Sequence, residues 1–133
     1  MDIPTPEVTP LNEPYWMGLR EGVLRFQQCR RCGHKWLPAR RECPSCLADD
    51  TVWEPSAGRG KVVSWIVYHT AYHEAFKDRL PYNVAIIELQ EGPRLMSNVL
   101  APHAEIRADM PVQLRIEQEA GIAIPRFAPA AAT

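Results

Sequence analysis

The stretch that decides the fold is Cys29-Arg30-Arg31-Cys32-Gly33 followed, after a spacer, by Cys43-Pro44-Ser45-Cys46-Leu47. Two Cys-x2-Cys pairs with ten residues between them account for all four cysteines of the 133-residue chain. A two-residue gap lets both sulfurs of a pair point at one metal while backbone N–H groups turn toward the thiolates. Two such knuckles close a tetrahedral shell of Cys29, Cys32, Cys43 and Cys46, the structural preference of Zn²⁺. A closed shell leaves no position for water or substrate, so the expected role of the metal is structural. An iron tetrathiolate uses the same ligands, and spacing does not separate it from zinc.

Competing uses of the cysteines fit less well. A redox Cys-x-x-Cys follows a strand in a βαβ setting and needs no second copy nearby. Disulfides need an oxidising compartment, and Pro4, Pro6 and Pro10 with no basic residue before Arg20 do not make an export signal. With no apolar run near the length of a membrane span, the expected setting is the cytoplasm. His34 could be offered as a ligand, but four thiolates already fill the shell and a surface position is expected. The basic residues Arg30, Arg31, Lys35, Arg40 and Arg41 crowd the knuckles against Glu42 alone. Either they offset the net negative charge of a zinc tetrathiolate or they meet phosphate groups; the first reading is the simpler. Over the whole chain, 15 basic residues stand against 16 acidic ones, which argues against a general polyanion binder.

Working outward, the expected architecture is mainly β. Residues 1–23 read as an arm and a helix, with Asn12 as N-cap, Pro14 in the first turn and a stop at Gly22. Residues 24–57 read as the ribbon, with short strands over 24–28, 35–37 and 52–55. Residues 58–128 give five strands, over 61–69, 82–90, 94–100, 112–117 and 122–127. The run Val84-Ala85-Ile86-Ile87 marks a central strand, and Val112, Leu114 and Ile116 alternate with Gln113, Arg115 and Glu117. Glu91-Gly92-Pro93 turns one strand into the next as a hairpin. A short irregular or helical piece over 102–106 separates the third and fourth strands, as in a five-stranded OB-type barrel. Residues 129–133 read as a flexible tail.

The ordered set of segments resembles the DUF35 family, a rubredoxin-like zinc ribbon fused to an OB-fold and associated with acyl-CoA metabolism. Ahead of the barrel the matching segments are Pro14-Tyr15-Trp16, Gly22-Val23-Leu24, both cysteine knuckles and Leu37-Pro38-Ala39-Arg40. In the barrel they are Gly58-Arg59-Gly60-Lys61-Val62-Val63-Ser64, Leu80-Pro81-Tyr82, Gly92-Pro93-Arg94-Leu95 and Ile124-Pro125-Arg126-Phe127. The family often has glycine where this chain has Asp109, a residue that tolerates the left-handed conformation. The resemblance implies a structural Zn²⁺ and a hetero-oligomer with a thiolase-superfamily enzyme (a thiolase, acyltransferase or retro-aldolase). In it the partner carries the catalytic residues, and a CoA thioester is bound in the complex.

The residues themselves favour a non-catalytic subunit. Thiolase-type chemistry needs a nucleophilic cysteine, and metal binding uses all four. No serine lies in a G-x-S-x-G elbow, and Gly58-Arg59-Gly60 opens a strand where a dinucleotide loop would open a helix. His69 and His73 lack a third ligand and read as loop residues. Tyr15, Trp16, Tyr72, Phe76, Arg126 and Phe127 are the candidate partner-binding residues, set against the reading that they close the protein's own core. Trp36, Trp53 and Trp65 read as core. A single-stranded nucleic-acid module is the alternative, since OB barrels and zinc ribbons both serve it. Against it, Trp65 and Tyr68 have opposite strand parity and the barrel half is not basic.

Overall fold

The computed structural model describes residues 7–69, 81–119 and 121–130. One helix leads: α1, Glu13–Arg20, with Pro14 in its first turn, Glu13 at its N-terminus and Arg20 in its last turn. These placements suit the missing proline N–H and the helix dipole. Gly22, at φ +88, turns the chain out of the helix. Asn12 precedes α1 as expected but does not cap it with its side chain. Its Oδ1 instead accepts the Thr9 N–H at 2.7 Å, and its Nδ2 donates to the Glu7 carbonyl at 3.0 Å, so Asn12 fixes the approach to the helix.

The ribbon follows as β1 (Arg25–Cys29), β2 (Lys35–Trp36) and β3 (Thr51–Pro55). Its sheet has the order β2-β1-β3, both pairings antiparallel. The second sheet comprises β4 (Arg59–Tyr68), β5 (Tyr82–Leu89), β6 (Arg94–Ser97), β7 (Pro111–Glu119) and β8 (Ile122–Pro129), in the order β6-β5-β4-β7-β8. A bulge between Val62 and Ser64 bends β4, the long strand shared by both halves of the sheet. The curl closes where β6 runs out: Val99 bridges Phe127 in parallel, Phe127 N–H donates to Asn98 O at 3.0 Å, and Leu100 N–H donates to Phe127 O at 2.8 Å. The result is the expected OB-fold. A 3-10 turn, His103–Glu105, occupies the expected irregular piece. β8 extends to Pro129, and Ala130 N–H donates to Pro111 O at 2.9 Å, so pairing continues past the expected start of the tail at residue 129.

Leu19 of α1 and Leu24 are buried in the barrel core with Val62, Ile87, Val112 and Phe127. The helix and the start of the ribbon therefore hang on the barrel. The ribbon's own buried cluster is only Cys29, Trp36 and Cys43. Asp109 adopts φ 63 and its N–H donates to Val62 O at 2.7 Å, so the aspartate takes the left-handed turn into the fourth barrel strand. Gly60 answers to a close approach: a Cβ there would sit 2.5 Å from the Glu88 carbonyl oxygen. Gly60→Ala is expected to push β4 off β5 and cost about 1–3 kcal/mol, read as a lowered denaturation midpoint at unchanged m-value. No helix of the described residues is long and apolar enough to cross a membrane.

Candidate metal centre and partner-facing residues

The two knuckles are built alike. In the first, Gly33 N–H donates to Cys29 O at 3.0 Å and Cys29 N–H to His34 O at 2.8 Å. In the second, Leu47 N–H donates to Cys43 O at 2.8 Å and Cys43 N–H to Ala48 O at 3.0 Å. Gly33 (φ 78) and Leu47 (φ 63) occupy equivalent left-handed positions, which fold each loop back over its cysteines. The N–H groups released by the turn face sulfur: Arg31 N–H lies 3.4 Å from Cys29 Sγ, and Ser45 and Cys46 N–H lie 3.3 and 3.4 Å from Cys43 Sγ. One cysteine of each pair is buried, Cys29 and Cys43, and one is exposed, Cys32 and Cys46.

The four sulfurs all lie within 4.8 Å of one another. Cys29 and Cys46 approach to 3.6 Å and Cys32 and Cys43 to 3.5 Å. Zn–S bonds of about 2.3 Å imply a tetrahedral S···S edge of about 3.8 Å, so the cluster has the size of the shell. Its electrostatics agree. The backbone N–H of Cys32, and after it that of Arg31, holds the Cys29 thiol below its ordinary value against burial. Burial pushes the Cys43 thiol up, but the amides of Cys46 and Ser45 outweigh it and bring it to about 7. Cys32 goes the other way, to about 12: the His34 amide lowers it, while burial and the sulfurs of Cys43, Cys46 and Cys29 raise it more. Four sulfurs this close cannot all be thiolates without a cation between them, and the donor set fits a thiophilic divalent ion.

His34 is exposed, stacked on Trp36 at 5.9 Å, and its side chain is not part of the sulfur cluster. Two of the basic residues form exposed ion pairs, Arg30 with Asp50 and Arg41 with Asp49. Lys35 lies 5.9 Å over the Phe26 ring. The ribbon depends on a residue with no sequence signal, Gln27, which is 1% exposed. Its Oε1 accepts Trp36 Nε1–H at 3.0 Å and Arg40 N–H at 2.7 Å, tying β1, β2 and the segment before the second knuckle together. Asn83 does similar work in the barrel. Its Nδ2 donates to Val99 O at 2.9 Å and its Oδ1 accepts Val99 N–H at 2.8 Å, carrying the β5–β6 pairing to the closure point. A polar residue inside an apolar strand carries no local mark of the partner it will find.

Of the candidate partner-binding residues, Tyr15 and Trp16 meet edge to face at 5.0 Å and pack half-buried against the barrel core. Burial pushes the Tyr15 phenol up to about 12. Phe127 takes the second of its two readings, a residue that closes the protein's own core: it is 0% exposed and belongs to the barrel cluster. Arg126, its neighbour on the other strand face, donates from Nη1 to Glu117 at 2.7 Å and from Nη2 to Glu119 at 2.6 Å, so its guanidinium is already engaged. Tyr72, Phe76 and His73 lie outside the described residues, and His69 is exposed after β4. Trp36 is buried, whereas Trp53 and Trp65 are half-buried.

Two family descriptions match consecutive parts of the chain: the ChsH2 rubredoxin-like zinc ribbon domain over residues 16–52 and the ChsH2 C-terminal OB-fold domain over residues 53–117. The chain is 35% identical over 130 residues to a probable enoyl-CoA hydratase alpha subunit of Thermomonospora curvata, covering 96% of this chain and 40% of that protein. It is 39% identical over 78 residues to a DUF35 domain-containing scaffold protein of Methanothermobacter thermautotrophicus, covering 58% of each. Over 97 residues it is 26% identical to the benzoylsuccinyl-CoA thiolase subunit BbsA of Thauera aromatica, covering 73% of this chain and 65% of that one. It thus spans less than two thirds of these relatives. Among solved structures, a chain of the Ltp2-ChsH2(DUF35) aldolase superposes with a TM-score of 0.84 at 32% identity, covering 96% of this chain and 100% of that one.

Proposed function

This chain belongs to the DUF35 family, with the ChsH2-type zinc ribbon and OB-fold, and on that premise we propose that it is a non-catalytic accessory subunit. Its partner is a thiolase-superfamily enzyme acting on acyl-CoA thioesters, and the two form a hetero-oligomer. The observation that carries this reading is the match, over nearly the whole chain, to the DUF35 chain of an aldolase. The relatives named as enoyl-CoA hydratase and benzoylsuccinyl-CoA thiolase subunits support the acyl-CoA substrate class. The cysteine cluster supports the accessory role, because it gathers all four thiols at one site and leaves none as a nucleophile.

In this reading Cys29, Cys32, Cys43 and Cys46 hold one Zn²⁺, which cross-links the two knuckles and supplies no reaction chemistry. The working units are residues 1–23, 24–57 and 58–128. A CoA thioester is bound in the complex, and this chain organises the partner and helps to form the CoA/acyl site. A site of four metal-bound thiolates suits the reducing cytoplasm, where we place the complex.

Co-expression with a thiolase-superfamily protein of the same organism tests the proposal. The expected result is a complex that survives gel filtration and turns over acyl-CoA thioesters, with no turnover by this chain alone. Thioester cleavage by the isolated chain, or failure of the two proteins to associate, would overturn it.

A further inference from the structure

One stretch of the barrel rim has unspent main-chain hydrogen bonds. In the β5–β6 hairpin Leu89 N–H donates to Pro93 O at 2.8 Å, and the register pairs Ile87 with Leu95 and Ala85 with Ser97. Hydrogen-bonded pairs recur every second residue, so the odd residues of β6 turn their N–H and C=O toward β5. The even residues turn theirs away. Beyond β6 that outer side is taken by β8, through Asn98 O and Leu100 N–H on either side of Phe127.

The next donor along β8 toward Met96 would be residue 125, and it is a proline without an N–H. Pro125 O is spent on the Ser97 hydroxyl at 2.8 Å. The outward main-chain groups of Arg94 and Met96 thus have no partner among the described residues. Barrels and sandwiches usually cover or charge such an edge, because it templates another strand.

Beside this edge lies a groove of about 390 Å³ lined by Tyr15, Trp16, Leu37, Pro38, Leu95 and Met96. Met96 is 73% exposed, the most of any large apolar residue among those described. No charged residue lines the groove, but cations stand at two of its borders. Arg40, which follows the groove-lining Ala39, is exposed and makes no ion pair among the described residues; Arg94, already paired with Glu88 at 3.4 Å, precedes Leu95.

We propose that the Arg94–Met96 edge of β6 receives an extended strand of the partner enzyme, which adds to the barrel sheet. The strand's main chain pairs with Arg94 and Met96, one of its apolar side chains fills the groove over Trp16 and Leu37, and a flanking carboxylate meets Arg40. This rests on the accessory-subunit reading and places its interface at a site where helix, ribbon and barrel meet. The zinc-bound ribbon and the barrel would then both be needed to shape one binding face.

The test uses the full chain and its complex with a thiolase-superfamily protein of the same organism, followed by amide hydrogen exchange at Arg94 and Met96. Both amides should exchange freely in the isolated chain and become protected in the complex. Met96→Pro deletes an N–H that faces away from β5, a tolerated edge position, and should weaken the complex at least about tenfold at unchanged Tm. Arg40→Glu, at an exposed side chain, should weaken it without touching the sheet. Amides left unprotected in a stable complex overturn the inference and leave the accessory role standing. Protection already present in the isolated chain assigns the edge to a segment of this chain if independent of concentration, or to a second copy if not, and overturns it too. Absence of any complex overturns both.

Discussion

Cys32→Ser is expected to strip the bound metal and melt the ribbon while the barrel stays folded. Apart from buried Phe26 and the Gln27 hydrogen bonds, the ribbon has little else to hold it: its buried cluster is Cys29, Trp36 and Cys43, and two of these three belong to the sulfur cluster. A two-residue strand, Lys35–Trp36, and two exposed ion pairs near the knuckles add little. A unit this small folds on its metal or not at all. The barrel core, with Val62, Ala85, Ile87, Val112 and Phe127, contains no ligand and keeps Leu19 and Leu24 docked. Hydrogen exchange should therefore lose protection from Arg25 to Pro55 and keep it at Val62, Ile87 and Val112. Elemental analysis should show one zinc per wild-type chain and a large loss in the variant. A variant that keeps its zinc and a protected β1–β3 pairing would show that the ribbon does not need the fourth thiolate.

The cysteine pairs and the strand pattern were legible because each rests on local chemistry. The Cys-x2-Cys spacing brings its own turn, and β7 announces itself through the alternation from Val112 to Glu117. The hairpin at Gly92 is marked by a glycine that indeed needs φ +115. Less visible was the division of labour. Leu24 sits at the start of the ribbon in sequence but is buried in the barrel core, a choice made by packing across the chain. Gln27 and Asn83 look like polar interruptions until their partners, Trp36 and Val99, are in place. Phe127 could have been placed by parity alone. Ala123, Pro125 and Phe127 share one strand face, all buried, and Arg126 takes the other.

Phe127→Ala is expected to be the most damaging single change in the barrel. The ring is 0% exposed, and its own main chain makes the closing bonds to Asn98 and Leu100. Removing a buried phenylalanine side chain costs about 3–5 kcal/mol, for the lost transfer energy and the cavity left behind. For a chain of this size that corresponds to a Tm lower by roughly 10–25 °C. The cavity would open at the seam where β6 and β8 meet, so exchange should rise first at Leu100 and Phe127. Met96→Ala makes the contrast on the same rim: a side chain 73% exposed should change stability by less than about 0.5 kcal/mol. Thermal denaturation of the two variants decides between a residue that closes the barrel and one that faces outward. Equal Tm values for Phe127→Ala and the wild type would mean that the barrel is not closed through Phe127, and the Arg94–Met96 edge would then lose the boundary that defines it.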